Sequence, residues 1–230
     1  MRAARLLVIA AACGDPADPH ASVDASVDGA GSTWATYTIA PGAHVATVAD
    51  ETAMNPLAAL TSVGGRDYEF IFDPSAMYEL TAPVDPADQL DWNKLPGLSD
   101  CGTVDLAVDG AMFGWRWRLD LVPRVLEVTA YANNAGVHLT PQDPLVILDA
   151  EDLEAREPLR YRVYREPAQY RFEIAGSLRG RAITAATTIS RRCTSDPIEL
   201  LAWAAGFYFG GTSTAPSPIT GRIHEISFVP

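Results

Sequence analysis

Chemistry-bearing residues are sparse in this chain of 230 residues, and one stands apart: Lys94 is its only lysine, in a sequence that otherwise uses arginine throughout. A single ammonium group can neutralise an anion such as a carboxylate. The four histidines, His20, His44, His138 and His224, are scattered without metal-ligand spacing and read as surface or loop residues. Asp85, Asp88 and Asp91 offer hard oxygen ligands of the kind calcium takes. They lack the glycine-punctuated regularity of a dedicated loop, so the cluster reads as a solvated turn. No GxSxG elbow, HExxH, Walker loop or GxGxxG follows a strand pattern, which removes the commonest hydrolase, metalloprotease and nucleotide-binding signatures. No cofactor and no metal are implied.

Composition narrows the classes further. The net charge of −12 is unevenly placed: residues 1–110 carry 16 Asp and Glu against 4 Lys and Arg, whereas residues 111–230 carry 13 of each. An acidic chain without a basic stripe is a poor partner for nucleic acid, whose binding needs clustered cations. The 9 arginines between Arg156 and Arg192 interleave with Glu157, Glu166 and Glu173 and read as a solvated surface.

The N-terminus reads as an export address. Arg2 and Arg5 precede the apolar run Leu6–Ala12, the layout of a secretion signal. Ala10-Ala11-Ala12-Cys13 is similar to the lipobox of bacterial lipoproteins, so residues 1–13 are expected to be a leader with Cys13 as the lipidated residue. Residues 14–33 have four Asp, no Lys or Arg, no aromatic and the tandem "ASVDASVD". Such a stretch buries too little apolar area to offset its ordering entropy and is expected to be a disordered tether. With Cys13 assigned to lipid, Cys101 and Cys193 remain as a disulfide pair in an oxidising compartment. The expected location is the cell envelope, periplasmic or at the surface, with the membrane reached through the lipid.

From Trp34 onward, period-two alternation dominates. "GWRWRLDL" puts Trp115, Trp117, Leu119 and Leu121 on one face and Arg116, Arg118 and Asp120 on the other. "LRYRVYR" and "QYRFEI" alternate likewise, and "WATYTI", "RDYEFIF", "RVLEVTAY", "PLVILD" and "GRIHEISF" complete a set of short strands. "IAGSLRGRAI" reads as a hairpin. Only "EDLEAR" (151–156) and "PIELLAWAA" (197–205) are helical candidates. Residues 34–230 are therefore expected to be one all-β domain, an antiparallel sandwich or jelly roll.

Three stretches add a family likeness: "NKLPGLSDCG" (93–102), "MFGWRW" (112–117) followed by "LEVTAY" (126–131), and "FYFGGTSTAPSPITGRIHEISF" (207–228). In order and spacing they resemble concanavalin A-like jelly-roll proteins, most of all the family-14 polysaccharide lyases and their uncharacterised bacterial lipoprotein relatives. The likeness spans roughly residues 66–230. It implies two curved antiparallel sheets with polysaccharide on the concave face. It also implies Lys94 and Tyr131 as the active pair of an enzyme that cleaves uronate glycans by β-elimination. Relatives carry Ser-Ala-Arg before the "FGWRW" strand and a Tyr-x-Tyr pair after it. This chain has Gly110-Ala111-Met112 and Tyr131-Ala132-Asn133, so a hydroxyl, a guanidinium and a phenol are missing and the site reads as eroded.

The expected function is thus polysaccharide binding, acidic glycans included, without efficient catalysis. The expected contacts are Asn93, Lys94, Arg116, Arg118 and Tyr131, whose planar groups and hydrogen-bonding heads suit sugar rings and hydroxyls. The alternatives are an active lyase using Lys94 and Tyr131, or a structural envelope protein that binds another protein.

Overall fold

The computed structural model describes residues 34–48, 59–61, 64–194 and 202–229. The leader, Cys13 and the tether lie outside the described residues. Fifteen strands are present among those described: β1 (Ala35–Ile39), β2 (Ala46–Val48), β3 (Ala59–Thr61), β4 (Gly65–Phe72), β5 (Asn93–Lys94), β6 (Gly97–Ser99), β7 (Gly110–Arg118) and β8 (Val125–Asn134). They are followed by β9 (Val137–Leu139), β10 (Val146–Leu148), β11 (Leu159–Arg165), β12 (Gln169–Leu178), β13 (Arg181–Ser190), β14 (Ala202–Ala205) and β15 (Ile219–Val229). One sheet runs β13-β12-β11-β4-β15-β1-β2. The other runs β10-β8-β7-β6-β14-β3, with β5 beside β7 and β9 beside β8. All described pairings are antiparallel, and the chain passes repeatedly from one sheet to the other. The protein is an all-β sandwich.

Alternation explains which residues meet in the middle. Tyr68, Phe70, Phe72, Tyr161 and Phe172 of the first sheet face Phe113, Trp115, Trp117, Leu126 and Val128 of the second, all buried. The Phe113 ring packs edge-on against Tyr161 and Phe172 at 5.2 and 5.4 Å, and Trp115 packs against Phe72 at 5.5 Å. Burying each such ring contributes roughly 2–3 kcal/mol. Both tryptophans are thereby committed to the core. The outward arginines of β11 and β12 are committed to carboxylates instead. Arg160 and Arg162 pair with Asp67, and Arg162 and Arg171 pair with Glu173.

Turns match their residues. The β12–β13 hairpin turns on Arg179 and Gly180, both with positive φ (50° and 76°), the geometry of a tight hairpin that follows the strand twist. "EDLEAR" forms the helix α1 (Ala150–Ala155), opened by a capping box between Asp149 and Asp152. The helical expectation for 197–205 is corrected over Ala202–Ala205. That segment is β14, paired with both β3 and β6. A helix so short nucleates poorly, whereas the two flanking strands offer it a complete ladder.

The two sheets are also stapled at one end. Cys101, just after β6, is bonded to Cys193, just after β13, with Cα atoms 5.5 Å apart. Next to this bridge lies a buried charge cluster. Asp100 accepts hydrogen bonds from Arg191 at 2.5 and 2.9 Å and from the Tyr170 hydroxyl at 2.8 Å, with Arg165 at 3.4 Å. Arg192 grips Asp109 in the same bidentate manner at 3.0 and 2.6 Å. Residues 100–109 are therefore held at both ends. Removing one member of such a buried group leaves uncompensated charge, which costs about 3–5 kcal/mol. Asp100→Asn is expected to lower stability by about that amount in urea titration, and an unchanged midpoint would contradict the assignment.

Candidate functional site

The outward face of β7 and β8 builds the site. On β7, Met112, Gly114, Arg116 and Arg118 point away from the core; on β8, Glu127, Thr129, Tyr131 and Asn133 do so. Met112 lies opposite Tyr131 and Gly114 opposite Thr129. Lys94 of β5 lies opposite Gly114 on the other side, which puts the ammonium across β7 from the phenol. Having no side chain, Gly114 leaves room for Trp92, whose indole is 3.3 Å from where a Cβ would sit. Lys94 and Tyr208 exchange backbone hydrogen bonds at 2.8 and 3.0 Å, which brings in a further aromatic ring. Gly210 passes so close to Trp92 that a methyl group there would lie 2.1 Å from its carbonyl oxygen.

These elements enclose an open hollow of roughly 670 Å³. Its floor and sides include Trp92, Lys94, Tyr131, Asn133, His138 and Tyr208, and the loop 104–107 forms a wall. The Lys94 ammonium sits 4.9 Å from the Tyr131 ring centroid and donates to the Trp92 carbonyl at 2.6 Å. Among the described residues it forms no ion pair. Burial pulls the Lys94 pKa down to about 8, with Asp91 opposing the shift. Burial likewise pushes the Tyr131 phenol up to about 12, and the negative charge of Asp91 adds to it. Asp91 is itself raised, by partial desolvation and by its neighbour Asp88.

The expected contacts divide by position. Lys94 and Tyr131 share the hollow. Arg116 is on the same face but lies outside it. Its guanidinium covers the Trp92 ring at 4.0 Å, bonds Glu127 at 2.8 Å and donates to the Leu90 carbonyl at 2.9 Å. Arg118, at the strand end, is taken by Asp120 and Glu127 at 2.7 Å each. Asn93 faces the opposite way from Lys94 and is 1% exposed. Its amide donates to the Tyr78 hydroxyl at 3.0 Å and accepts from the Gly210 backbone at 2.8 Å, so it fastens the 206–211 segment from inside.

The Asp85, Asp88 and Asp91 turn has a structural use. Asp88 is buried and accepts from the backbone and hydroxyl groups of Thr212 and Ser213 and from the Asp85 amide. Burial opposes its charge, but these hydrogen bonds prevail and hold its carboxyl below the usual range. Among the described residues no group of three or more His, Cys, Asp or Glu is placed to hold a metal ion.

On sequence His138 reads as a surface or loop residue, and Asn133 carries no binding role. The β8–β9 hairpin turns on Ala135 and Gly136, with φ of 53° and 77°, and sets His138 directly opposite Asn133. The ring lies 2.5 Å from the Asn133 Oδ1 through Nδ1 and stacks at a tilt on Tyr131, with centroids 5.5 Å apart. The Asn-Ala-Gly turn signal was available locally; its consequence for the site needed the register.

No protein-family model matches the chain, and no curated protein sequence matches it. Solved structures similar over much of its length include the following two. One is the CBM2 module of the evolved Dit of Lactobacillus casei BL23 phage J-1, with TM-score 0.37 and 9% identity over 85% of this chain and 69% of that one. The other is sheep galectin-11 in complex with glycerol, with TM-score 0.28 and 12% identity over 74% of this chain and 99% of that one. The likeness to family-14 lyases accordingly rests on the sequence motifs alone.

A depressed lysine pKa has a definite sign in stability. The folded state loses the Lys94 proton near pH 8, whereas the unfolded chain keeps it to about 10.4. From about pH 8 to the onset of tyrosine ionisation near pH 10, Lys94 therefore contributes stability that rises with pH. Reductively methylated with carbon-13, the single lysine is expected to titrate near pH 8. A midpoint near 10.4 would show a solvated ammonium.

Proposed function

We propose that this domain binds polysaccharide in the hollow beside Lys94, as a glycan-facing module held at the cell envelope by lipid on Cys13, without efficient catalysis. The observation that carries the reading is a half-buried ammonium, without an ion pair among the described residues, lying over Tyr131 in a hollow walled by aromatic rings. Sugar rings offer apolar faces to aromatic side chains and hydroxyls to polar heads, and such a site supplies both. A ligand carboxylate would also restore the interactions that Lys94 gave up on leaving water.

Two observations speak for binding over turnover. Elimination next to a carboxylate needs that group neutralised as the proton leaves. Arg116 and Arg118 are occupied by Glu127 and Asp120, which leaves the task to one ammonium. The Tyr131 phenol, raised to about 12, would be ionised in only about one molecule in 10⁵ at pH 7, which makes it a weak base. The lyase reading draws on the direct contact of Lys94 with Tyr131, and formation of unsaturated product separates the two. The protein-binding reading loses its basic face, since Arg160, Arg162 and Arg171 are paired within their own sheet.

Affinity electrophoresis through gels containing alginate, glucuronan or neutral glucans tests the proposal. Retardation by at least one glycan is expected, weakened ten-fold or more by Lys94→Ala with the melting temperature preserved, and with no rise in enone-ether absorbance. Equal mobility in every gel would refute binding, and steady product absorbance would establish the lyase. The anchor is tested separately. Cys13→Ser is expected to move the exported protein from the membrane fraction to the soluble one, and unchanged partition would refute lipidation at Cys13.

A further inference from the structure

Asn133 settles which nitrogen of His138 carries a proton. Its amide stands between two partners: the Leu106 carbonyl in the wall of the hollow, and the His138 ring. A backbone carbonyl only accepts, so the group facing Leu106 is the Asn133 NH₂. That leaves Oδ1 towards His138, 2.5 Å from Nδ1. An amide oxygen also only accepts, so Nδ1 must donate. In the neutral ring the proton is then on Nδ1, and Nε2 keeps its lone pair. Among the described residues no protein group bonds Nε2. The imidazole is exposed and lines the hollow, on the far side of Tyr131 from Lys94.

The remaining polar groups give this lone pair its meaning. Lys94 is a donor only, and the Tyr131 hydroxyl, which keeps its proton at neutral pH, has no protein partner among the described residues. Asn133, the other polar side chain beside them, is used up by Leu106 and His138. Asp91 is the carboxylate of the opposite rim, and Asp105 belongs to the loop wall. On the His138 side Nε2 is the acceptor that carries no proton of its own, whereas the Thr140 and Tyr131 hydroxyls can both donate and accept.

We propose that His138 is a specificity-determining residue of the hollow, its Nε2 accepting a hydrogen bond from a ligand hydroxyl, with Asn133 as the residue that orients it. The inference rests on the glycan-binding reading of the same hollow. It adds which group reads a hydroxyl and why that group is an acceptor. Asn133 also ties this acceptor to the loop wall, so the hydroxyl reader and the loop hold their places together.

The free protein provides the first test. Long-range proton–nitrogen correlation spectra at alkaline pH, assigned by loss of one signal set in His138→Phe, are expected to show His138 protonated at Nδ1. Asn133→Leu is expected to move the proton to Nε2, a shift that a merely structural asparagine would not produce. Titration with alginate and gluco-oligosaccharides is the second test. His138→Phe, which keeps a ring at an exposed position, is expected to weaken retention at least ten-fold. Nε2 protonated in the free protein, or His138→Phe binding as tightly as the parent, overturns the proposal while leaving glycan binding by Lys94 intact. Should no oligosaccharide bind the parent protein, the glycan reading fails and the hydroxyl-reading role falls with it.

Discussion

The register of β7 against β5 and β8 is the constraint on which the rest depends. Side chains alternate along each strand, so each of these strands has to serve two environments with one backbone. On the inner side they supply Phe113, Trp115, Leu126 and Val128 to the sandwich core. On the outer side the same pairings bring Lys94 across Gly114 to Tyr131. A slip of one residue would turn Arg116 and Thr129 into the sandwich core and expel the tryptophans from it, losing several kcal/mol of burial. The core thus enforces the geometry of the hollow.

Holding a lone ammonium half out of water is unfavourable, and the surrounding structure offsets that cost with rigidity. Asn93 and Asp88 both bind the segment 210–213 from the inside, which fixes the Tyr208 side of the hollow. The opposite wall, residues 104–107, is carried between two anchors, Asp100 with Cys101 and Asp109, each fastened to the segment Arg191–Cys193. Asn133 reaches that wall from β8. Most of the arginines with described side chains are spent on carboxylates, whereas Lys94, half-buried in the hollow, forms no ion pair among the described residues.

Strand content and the two-faced pattern were legible because alternation is a local property, readable from "GWRWRLDL" or "LRYRVYR" without knowing the partner. The pairing of Cys101 with Cys193 was legible by arithmetic. Asn93 was misread because adjacency to Lys94 in sequence means the opposite face in a strand. Arg116 and Arg118 were placed on the correct face, yet their engagement by Glu127 depends on cross-strand register, which no local pattern reports. The same holds for Arg66, fully buried against Glu225 and the Gly97 carbonyl, and for His138. Asp88 illustrates another limit: an acidic turn appears solvated until the segment that caps it is known.

Mapping amide shifts of nitrogen-15-labelled protein during titration with mixed acidic and neutral oligosaccharides tests the central claim most directly. The account predicts saturable changes concentrated in residues 91–95, 104–107, 131–140 and 206–211, with the outer face of β11, β12 and β13 silent. Changes centred on that other face, or none anywhere at millimolar sugar, would contradict it.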